Sequence, residues 1–281
     1  MAMDSLYVSR NLRLESTSSL GEAEYVIIGI PFDSTSTNRS GSRHAPLEIR
    51  REFLGLEKEA PDLGGGSVFD VSFYDAGDVD VVPGNAAETL RRVAESVRDL
   101  RDGGGDFKPI VLGGEHLMTL GVVRALGGQD FTILSLDAHL DLRDDYMGEK
   151  LNHSTVMRRI SEEGFGVRIL GARSFSADEA DYAKSAGIDY SGVADYDRIL
   201  EDVKGMGVYL SIDFDVLEPL AAPGVGNPEP GGIGFNNLEC VIDYVKSNCS
   251  VVGFDFMEVS PPFDNGVTAV YAAKSLIRAL V

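Results

Sequence analysis

The sequence lacks several features that would place it in other classes of protein. None of its apolar runs approaches the roughly 18 residues of a membrane-spanning helix. Residues Met1–Ser5 do not begin a basic segment followed by an apolar core, so we expect no secretory signal. The two cysteines, Cys240 in an expected helix and Cys249 before an expected strand, predict free buried thiols rather than a disulfide. These absences predict a cytoplasmic protein.

Basic residues are also scarce, with 25 lysines and arginines against 45 acids and a net charge of −20. This balance argues against a nucleic-acid partner, because too few cations are available to neutralise phosphates. A solvated acidic surface, of the kind that suits a salty cytoplasm, is one explanation of the charge, and steering of a cationic substrate is another. The 281 residues can bury the core of one α/β domain, and we expect a single domain over residues 1–281.

Strands and helices alternate along the whole chain. Seven near-continuous apolar runs predict strands covered on both faces: Tyr25–Ile30, Val68–Tyr74, Pro109–Leu112, Phe131–Leu136, Arg168–Leu170, Gly207–Ile212 and Ser250–Phe254. Helical patterns lie between and after them at Ala86–Asp102, Leu117–Leu126, Ser154–Glu163, Ala177–Ala186, Asn236–Ser247 and Val267–Leu280. This order predicts an α/β fold in which helices cover a mostly parallel sheet.

Closely spaced acids follow two of these strands. Asp137, His139 and Asp141 follow one run, and Asp213 and Asp215 end another. Residues two apart in a strand share a face, so each set starts on one side of the sheet. Like charges this close repel each other unless a cation lies among them. Carboxylate oxygens with imidazole suit Mn²⁺, and less readily Zn²⁺ or Ni²⁺, so the pattern predicts a metal site that holds two ions.

A third segment brings a histidine to the same edge of the predicted sheet. Gly113–Gly114–Glu115–His116 follows the strand at Pro109–Leu112, and ligands gather at the carboxyl ends of parallel strands. Alone, His116 would more often be a packing or helix-start residue, and Glu115 a supporting one. Metal-type side chains at three strand ends favour a metal centre over a solvated acidic rim.

Together these three motifs resemble those of the ureohydrolase family, which includes arginases and agmatinases. The similarity continues through residues 40–46, 152–155, 222–232 and 255–261. It implies a three-layer α/β/α sandwich of the arginase/deacetylase type with a binuclear Mn²⁺ centre, in which Co²⁺, Ni²⁺ or Zn²⁺ could replace manganese. It also implies a homotrimer or homohexamer.

The resemblance assigns six residues as metal ligands. His116 and Asp141 would bind one ion, His139 and Asp215 the other, and Asp137 and Asp213 would bridge the two. Four carboxylates nearly neutralise two divalent ions, and the pair can activate a shared water at neutral pH. Asp141 is counted among the catalytic residues as well.

The implied reaction is hydrolysis of a guanidinium group to urea and an amine. Glu258 occupies the position that pairs with the guanidinium, which a carboxylate fits with two hydrogen bonds; a structural salt bridge is its alternative. His153 matches a proton-shuttling histidine, and polar surface is its alternative. Arg43 and His44 are expected to support the site wall or a subunit contact.

The loop after the first acidic motif, residues 142–153, is similar to that of agmatinases. Its acids would suit the distal amine of the substrate, and Arg143 is expected to pair with an acid rather than bind a carboxylate. We therefore expect hydrolysis of agmatine to putrescine and urea, a step of polyamine biosynthesis. Guanidinobutyrate, arginine or a formiminoglutamate-like compound are alternative substrates. A non-catalytic assembly protein and a metal-dependent deacylase are alternatives that the intact ligand set and Glu258 disfavour.

Overall fold

The computed structural model describes residues 7–9, 12–60, 65–128 and 130–281. Its strands are β1 (Val8–Ser9), β2 (Tyr25–Ile30), β3 (Glu59–Ala60), β4 (Gly66–Ser67), β5 (Phe73–Val79), β6 (Lys108–Gly113), β7 (Phe131–Leu136), β8 (Gly166–Leu170), β9 (Asp189–Ser191), β10 (Gly207–Asp213) and β11 (Ser250–Met257). Its α-helices are α1 (Ala45–Gly55), α2 (Ala86–Gly104), α3 (Met118–Leu126), α4 (Val156–Glu162), α5 (Ala177–Ala186), α6 (Asp197–Val203), α7 (Phe235–Asn248) and α8 (Val267–Leu280).

Nine of the strands in these described residues form the central sheet, in the order β1-β5-β2-β6-β11-β10-β7-β8-β9. All neighbouring pairs run parallel except β1 and β5, and β3 pairs with β4 in a separate antiparallel hairpin. The predicted mostly parallel α/β fold is therefore confirmed. No helix in the described part of the chain is both long and apolar enough to cross a membrane.

The sheet separates two hydrophobic clusters because successive side chains of a strand point to opposite faces. In β2, Ile27 packs into one cluster and Ile28 into the other. Buried side chains of α1, α6, α7 and α8 belong to the first cluster, and those of α2, α3, α4 and α5 to the second. Two layers of helices thus enclose the sheet, which explains why the strand sequences are apolar without alternation.

Four adjacent strands bring the sequence motifs together. In the order β6, β11, β10 and β7, each strand is parallel to its neighbours, so all four carboxyl ends reach the same edge. The register aligns Leu136 of β7 with Ile212 of β10, and Asp213 with Met257 of β11. The residues that directly follow these strands therefore converge at one place in the middle of the sheet.

Some element boundaries differ from the prediction. The expected strand Val68–Tyr74 is a 3₁₀ turn at Val68–Asp70 followed by β5, which runs on to Val79. The sequence did not predict that β5 extends beyond Tyr74, because Gly77, at φ 97°, and two acids interrupt the apolar pattern. Helices α1 and α6 and the short strands β1, β3, β4 and β9 were not predicted.

The cysteines are free, as predicted, but the expectation that both are buried is wrong. Cys240 is exposed and Cys249 is half-buried. In α7 the buried stripe is formed by Leu238, Val241, Ile242 and Val245, and Cys240 lies off that stripe.

A buried ion-pair network ties α1 to β5. Arg50 has no exposed surface and donates two hydrogen bonds of 2.8 Å to the carboxylate of Asp75 and one of 2.6 Å to Asp78. Burial alone would lower the pKa of Arg50, but the two aspartates outweigh it and raise the pKa. The network satisfies the two acids that interrupt the apolar pattern of β5.

Candidate metal centre

The acids after β7 and β10 are held by backbone N–H groups at the strand ends. The N–H of His139 donates to Oδ1 of Asp137 at 2.6 Å, and that of Ala138 donates to Oδ1 of Asp215 at 3.0 Å. The N–H of Asp215 donates to Oδ1 of Asp213 at 2.9 Å. Because the backbone at each strand end binds one oxygen of a carboxylate, the second oxygen of each is directed into the site.

His116 lies at the centre of three aspartates. Its Nδ1 is 3.3 Å from Oδ2 of Asp137, of Asp141 and of Asp213. All four side chains are buried, and Asp141 adopts a left-handed backbone conformation at φ 51°. Three acids around a single imidazole nitrogen repel each other when ionised, an arrangement that a bound cation would stabilise.

His139 lies beside a second group of acids. Its Nδ1 is 3.0 Å from Oδ2 of Asp215 and 3.5 Å from Oδ1 of Asp137. Asp137 therefore directs one oxygen to each histidine and belongs to both groups. The structure brings all six predicted ligands together.

The donor atoms fit two cations. Potential ligand atoms lie within 4.8 Å of one another in two sets, one of His116, Asp137 and Asp213 and the other of Asp137, His139 and Asp215. Asp141 faces His116 but falls outside these sets. Nδ1 of His116 and Oδ2 of Asp137 are buried without a hydrogen-bond partner among the described residues. Unpartnered buried atoms of this kind are costly, and a bound cation would satisfy them.

Burial and mutual repulsion change the protonation of the aspartates. Burial and the charge of Asp137 raise the pKa of Asp141 to about 6. Burial, Asp215 and Asp137 raise the pKa of Asp213 well above its usual value. Burial would also raise the pKa of Asp137, but the close approach of His116 and His139 outweighs it and lowers the pKa. Acids that resist ionisation in the absence of metal release protons when cations bind.

A hydrogen-bond chain behind His116 orients its ring. Nε2 of His116 is 2.9 Å from Oγ of Ser211, and that hydroxyl donates to Oδ1 of Asp255 at 2.6 Å. The hydroxyl of Thr119 donates to the other oxygen of Asp255 at 2.8 Å. No sequence motif predicts this role for Asp255, although an acid inside the apolar strand β11 is a signal for it. Such partners fix which nitrogen of a histidine faces a metal.

Glu258 follows β11 in a left-handed conformation at φ 63°, and its N–H donates to the carbonyl of Gly114 at 2.9 Å. Its Oε1 accepts a 2.9 Å hydrogen bond from the backbone N–H of His116 and lies 3.1 Å from Nδ1 of His153. On the other side of that ring, Nε2 lies 2.9 Å from the hydroxyl oxygen of Thr37 and 3.2 Å from its backbone nitrogen. The structure thus brings Glu258 and His153 into contact beside the aspartate cluster.

This contact changes the proton affinity of both groups. Burial alone would lower the pKa of His153, but the hydrogen bond and charge of Glu258 outweigh it and raise the pKa to about 9. Burial would raise the pKa of Glu258, but the hydrogen bond and charge of His153 lower it. At neutral pH the pair is therefore a protonated histidine beside a carboxylate.

Glu115 does not join the aspartate cluster. Its carboxylate accepts hydrogen bonds from the backbone N–H of Thr35, at 2.7 Å, and from the Thr35 hydroxyl. The same hydroxyl accepts from the N–H of His153 at 3.1 Å, so Glu115 supports the loop that holds His153. Arg43 and His44 are exposed and lie outside the cavity, and Arg43 pairs with Asp33 at 3.0 Å.

A cavity of about 480 Å³ opens above the cluster. Its described lining residues are Thr37, His139, Asp141, Arg143, Tyr146, His153, Ser154, Ser174, Phe175, Ser176, Glu179, Asp213, Asp215, Asn227, Glu229 and Glu258. The cavity therefore places metal-type ligands, an ion-paired histidine, two aromatic rings and further acids around one space.

The acids of the loop 142–153 do not line this cavity, so the expectation that they face the substrate is wrong. Asp144 instead lies within ion-pair distance of Arg158, at 3.3 Å, and of Arg159, at 3.2 Å, both from α4. Arg143 pairs with an acid as predicted, and the partner is Glu179 of α5 at 3.6 Å.

A sequence profile of the arginase family matches residues 23–281. The chain belongs to the arginase family. The chain is 37% identical to an agmatinase from Pyrococcus horikoshii over 280 residues, which cover 98% of each protein. It is 36% identical to N(1)-aminopropylagmatine ureohydrolase from Thermococcus kodakarensis over 283 residues, which cover 99% of this chain and 97% of that protein. The crystal structure of agmatine ureohydrolase of Thermoplasma volcanium aligns with a TM-score of 0.84 and 33% identity, covering 99% of this chain and 92% of that one.

The resemblance to ureohydrolases that the motifs indicated is thus confirmed over the full length. As an arginase-family protein, the chain is a metal-dependent hydrolase of the ureohydrolase type, with His and Asp clusters suited to a binuclear site.

Proposed function

We propose that this ureohydrolase converts agmatine and water to putrescine and urea. The observation that carries the proposal is that one cavity combines the aspartate–histidine cluster with the Glu258–His153 pair. The first group can hold cations, and the second can bind a guanidinium and supply a proton. The similarity to proteins named as agmatinases supports the choice of substrate.

The metal ligands in this proposal are those that the motifs predict. His116 and Asp141 would hold one Mn²⁺ ion, His139 and Asp215 would hold the other, and Asp137 and Asp213 would contribute to both sites. When bound, two divalent cations supply a hydroxide nucleophile at neutral pH. The two oxygens of Asp137, each directed to a different histidine, support its shared position.

Glu258 binds the guanidinium and orients its carbon towards the aspartate–histidine cluster. The hydrogen bonds to its carboxylate from described residues all end on Oε1, so Oε2 is available to the substrate. A planar guanidinium offers two parallel N–H groups to a carboxylate, which fixes its orientation as well as its position. The left-handed backbone at Glu258 is the kind of strain that persists where a functional side chain must be aimed.

His153 donates the proton that the leaving nitrogen needs. An oxygen from water bonds to the guanidinium carbon, the bond from that carbon to the alkyl-bearing nitrogen breaks, and this nitrogen leaves as the amine of putrescine. Because Glu258 keeps His153 protonated at neutral pH, the ring has a proton to give when the C–N bond breaks.

The charge of the cavity favours an amine-ended substrate over a carboxylate-ended one. Arg143 is the one arginine or lysine among the described lining residues, and it lies 3.6 Å from the buried Glu179. A substrate carboxylate would have to compete with Glu179 for Arg143.

A comparison of substrates tests the proposal. We expect kcat/KM with Mn²⁺ to be highest for agmatine among agmatine, arginine and 4-guanidinobutyrate, with urea as the measured product. A higher kcat/KM for arginine or 4-guanidinobutyrate would overturn the assignment of agmatine. An absence of urea from all three would overturn guanidine hydrolysis itself.

A further inference from the structure

Among the described acids that line the cavity, and apart from the proposed metal ligands, one has a carboxylate that no described residue binds. Those acids are Glu179, Glu229 and Glu258. Glu179 is buried and accepts hydrogen bonds from the N–H and hydroxyl of Ser176, at 2.9 and 2.8 Å, and from the N–H of Leu142, at 3.2 Å. Glu258 holds His153. The carboxylate of half-buried Glu229 has neither a hydrogen bond nor an ion pair with any described residue.

We propose that Glu229 binds the distal ammonium group of agmatine and selects an amine-ended substrate. The inference rests on the proposed agmatine hydrolysis and adds the residue that recognises the far end of the substrate. In agmatine, four methylene groups separate the guanidinium from the amine. With the guanidinium on Glu258, the ammonium needs an acceptor elsewhere on the wall, and Glu229 is the lining carboxylate that is free to provide it.

The backbone around Glu229 is fixed to the metal centre. Nη2 of Arg173 donates to the carbonyl oxygens of Glu229 and of Asp215, both at 2.7 Å, and its Nε donates to that of Pro230 at 3.1 Å. Prolines flank Glu229 on both sides, and a residue before proline is restricted to extended conformations. Because the same arginine binds a proposed metal ligand and the Glu229 segment, the distance between the two ends of the site is set by the protein.

A second acceptor lies two residues earlier on the same segment. Asn227 lines the cavity, and its Nδ2 donates to the hydroxyl of Thr37 at 3.3 Å. Its Oδ1 is buried and has no hydrogen-bond partner among the described residues. An ammonium group has three N–H donors, so it can bind Glu229 and still satisfy this amide oxygen. Tyr146 and Phe175, which also line the cavity, offer apolar surface to the methylene groups.

The test compares two substrates that differ only at the far end. Butylguanidine has the same guanidinium and four-carbon chain as agmatine but no amine. In Glu229→Gln, we expect kcat/KM for agmatine to fall about ten- to hundred-fold, the range expected for a lost charge-assisted hydrogen bond, while kcat/KM for butylguanidine stays unchanged. The ratio of the two values is the measured quantity.

Glu149→Gln is the matched control. It removes one negative charge from the exposed loop whose acids lie outside the cavity, and we expect the agmatine to butylguanidine ratio to stay within about two-fold of wild type. Glu229→Lys provides a second variant, in which we expect 4-guanidinobutyrate to become a better substrate than agmatine. Thermal unfolding of each variant shows whether it is folded.

The outcomes separate this inference from the proposed function. If the wild-type protein releases urea from agmatine and folded Glu229→Gln has the wild-type ratio of agmatine to butylguanidine kcat/KM, this inference is overturned and the proposed function is not. Glu229→Lys that retains the wild-type preference for agmatine also overturns it. A wild-type protein with no activity on agmatine refutes the proposed function and this inference with it.

Discussion

Nδ1 of His153 lies 3.1 Å from Oε1 of Glu258, and the same oxygen accepts the backbone N–H of His116 at 2.9 Å. One carboxylate oxygen thereby connects the proposed proton donor to a proposed metal ligand. The contact raises the pKa of His153 to about 9, whereas an unperturbed histidine would be largely neutral at pH 7. In the proposed mechanism, the position of Glu258 therefore determines both where the guanidinium binds and whether His153 carries a proton.

Replacing His153 with asparagine should slow the reaction without reducing the amount of bound manganese. We expect kcat for agmatine to fall about 10²- to 10⁴-fold, the usual contribution of a positioned acid or base, while the manganese content stays that of wild type. Because protonated His153 is lost as the pH rises through about 9, wild-type kcat/KM should decline there, and the variant should lack that decline. Equal kcat values for the two proteins would contradict this role.

Glu258→Gln tests the coupling between these two residues. The amide cannot pair with a guanidinium as a carboxylate does, so we expect kcat/KM for agmatine to fall at least about ten-fold. Loss of the negative charge also lowers the pKa of His153, so the alkaline decline of the residual activity should move to lower pH. An alkaline decline at the wild-type pH would show that Glu258 does not control His153.

Asp255 should affect metal binding through His116, to which it is connected by hydrogen bonds through the Ser211 hydroxyl. In Asp255→Asn the chain of hydrogen bonds behind the ring is weakened, and we expect the affinity for Mn²⁺ to drop about 10- to 100-fold. Activity should return towards wild type at high manganese concentration, because the catalytic groups in the cavity are unchanged. Metal titration followed by calorimetry measures the effect, and unchanged affinity would rule out this positioning role.

The Arg50 network should contribute to stability rather than activity. Asp75→Asn leaves the fully buried guanidinium of Arg50 with one carboxylate partner, Asp78, instead of two. We therefore expect a loss of about 3–5 kcal/mol in the free energy of unfolding. Asp70→Asn, at an exposed acid near the start of β5, should change stability by less than about 0.5 kcal/mol. Urea denaturation measures both, and similar values for the two variants would contradict the role of the network.

The sequence predicted that the aspartates and histidines would cluster, because its signals are local. Each motif follows an apolar strand, and parallel strands deliver their carboxyl ends to one edge, so Asp137 and Asp213 were expected to meet. The two-residue spacing of these acids can be read directly from the sequence. The spacing does not predict the hydrogen bonds from backbone N–H groups to one oxygen of each acid, which direct the other oxygen into the site.

The far end of the cavity was harder to predict because it is built from separate loops. Asp144 looked available in the sequence, but two arginines of α4 lie within ion-pair distance of it in the fold. Glu229 gave no local signal, since neither a strand nor a charged motif precedes it. Which loop acids are paired and which are free depends on tertiary contacts that a pattern of residues does not contain. The same limit applies to α1, which was not predicted and whose buried Arg50 pairs with Asp75 and Asp78 of β5.

The most direct test of the central proposal uses metal-free protein to which Mn²⁺ is returned, with Asp137→Asn as the comparison. We predict that wild type binds two manganese ions per chain and then releases urea and putrescine from agmatine in equal amounts. We predict that Asp137→Asn, which lacks the carboxylate shared by both ligand sets, loses metal binding and activity together. Urea release at the wild-type rate from metal-free protein, or from Asp137→Asn, would contradict the proposed two-metal mechanism.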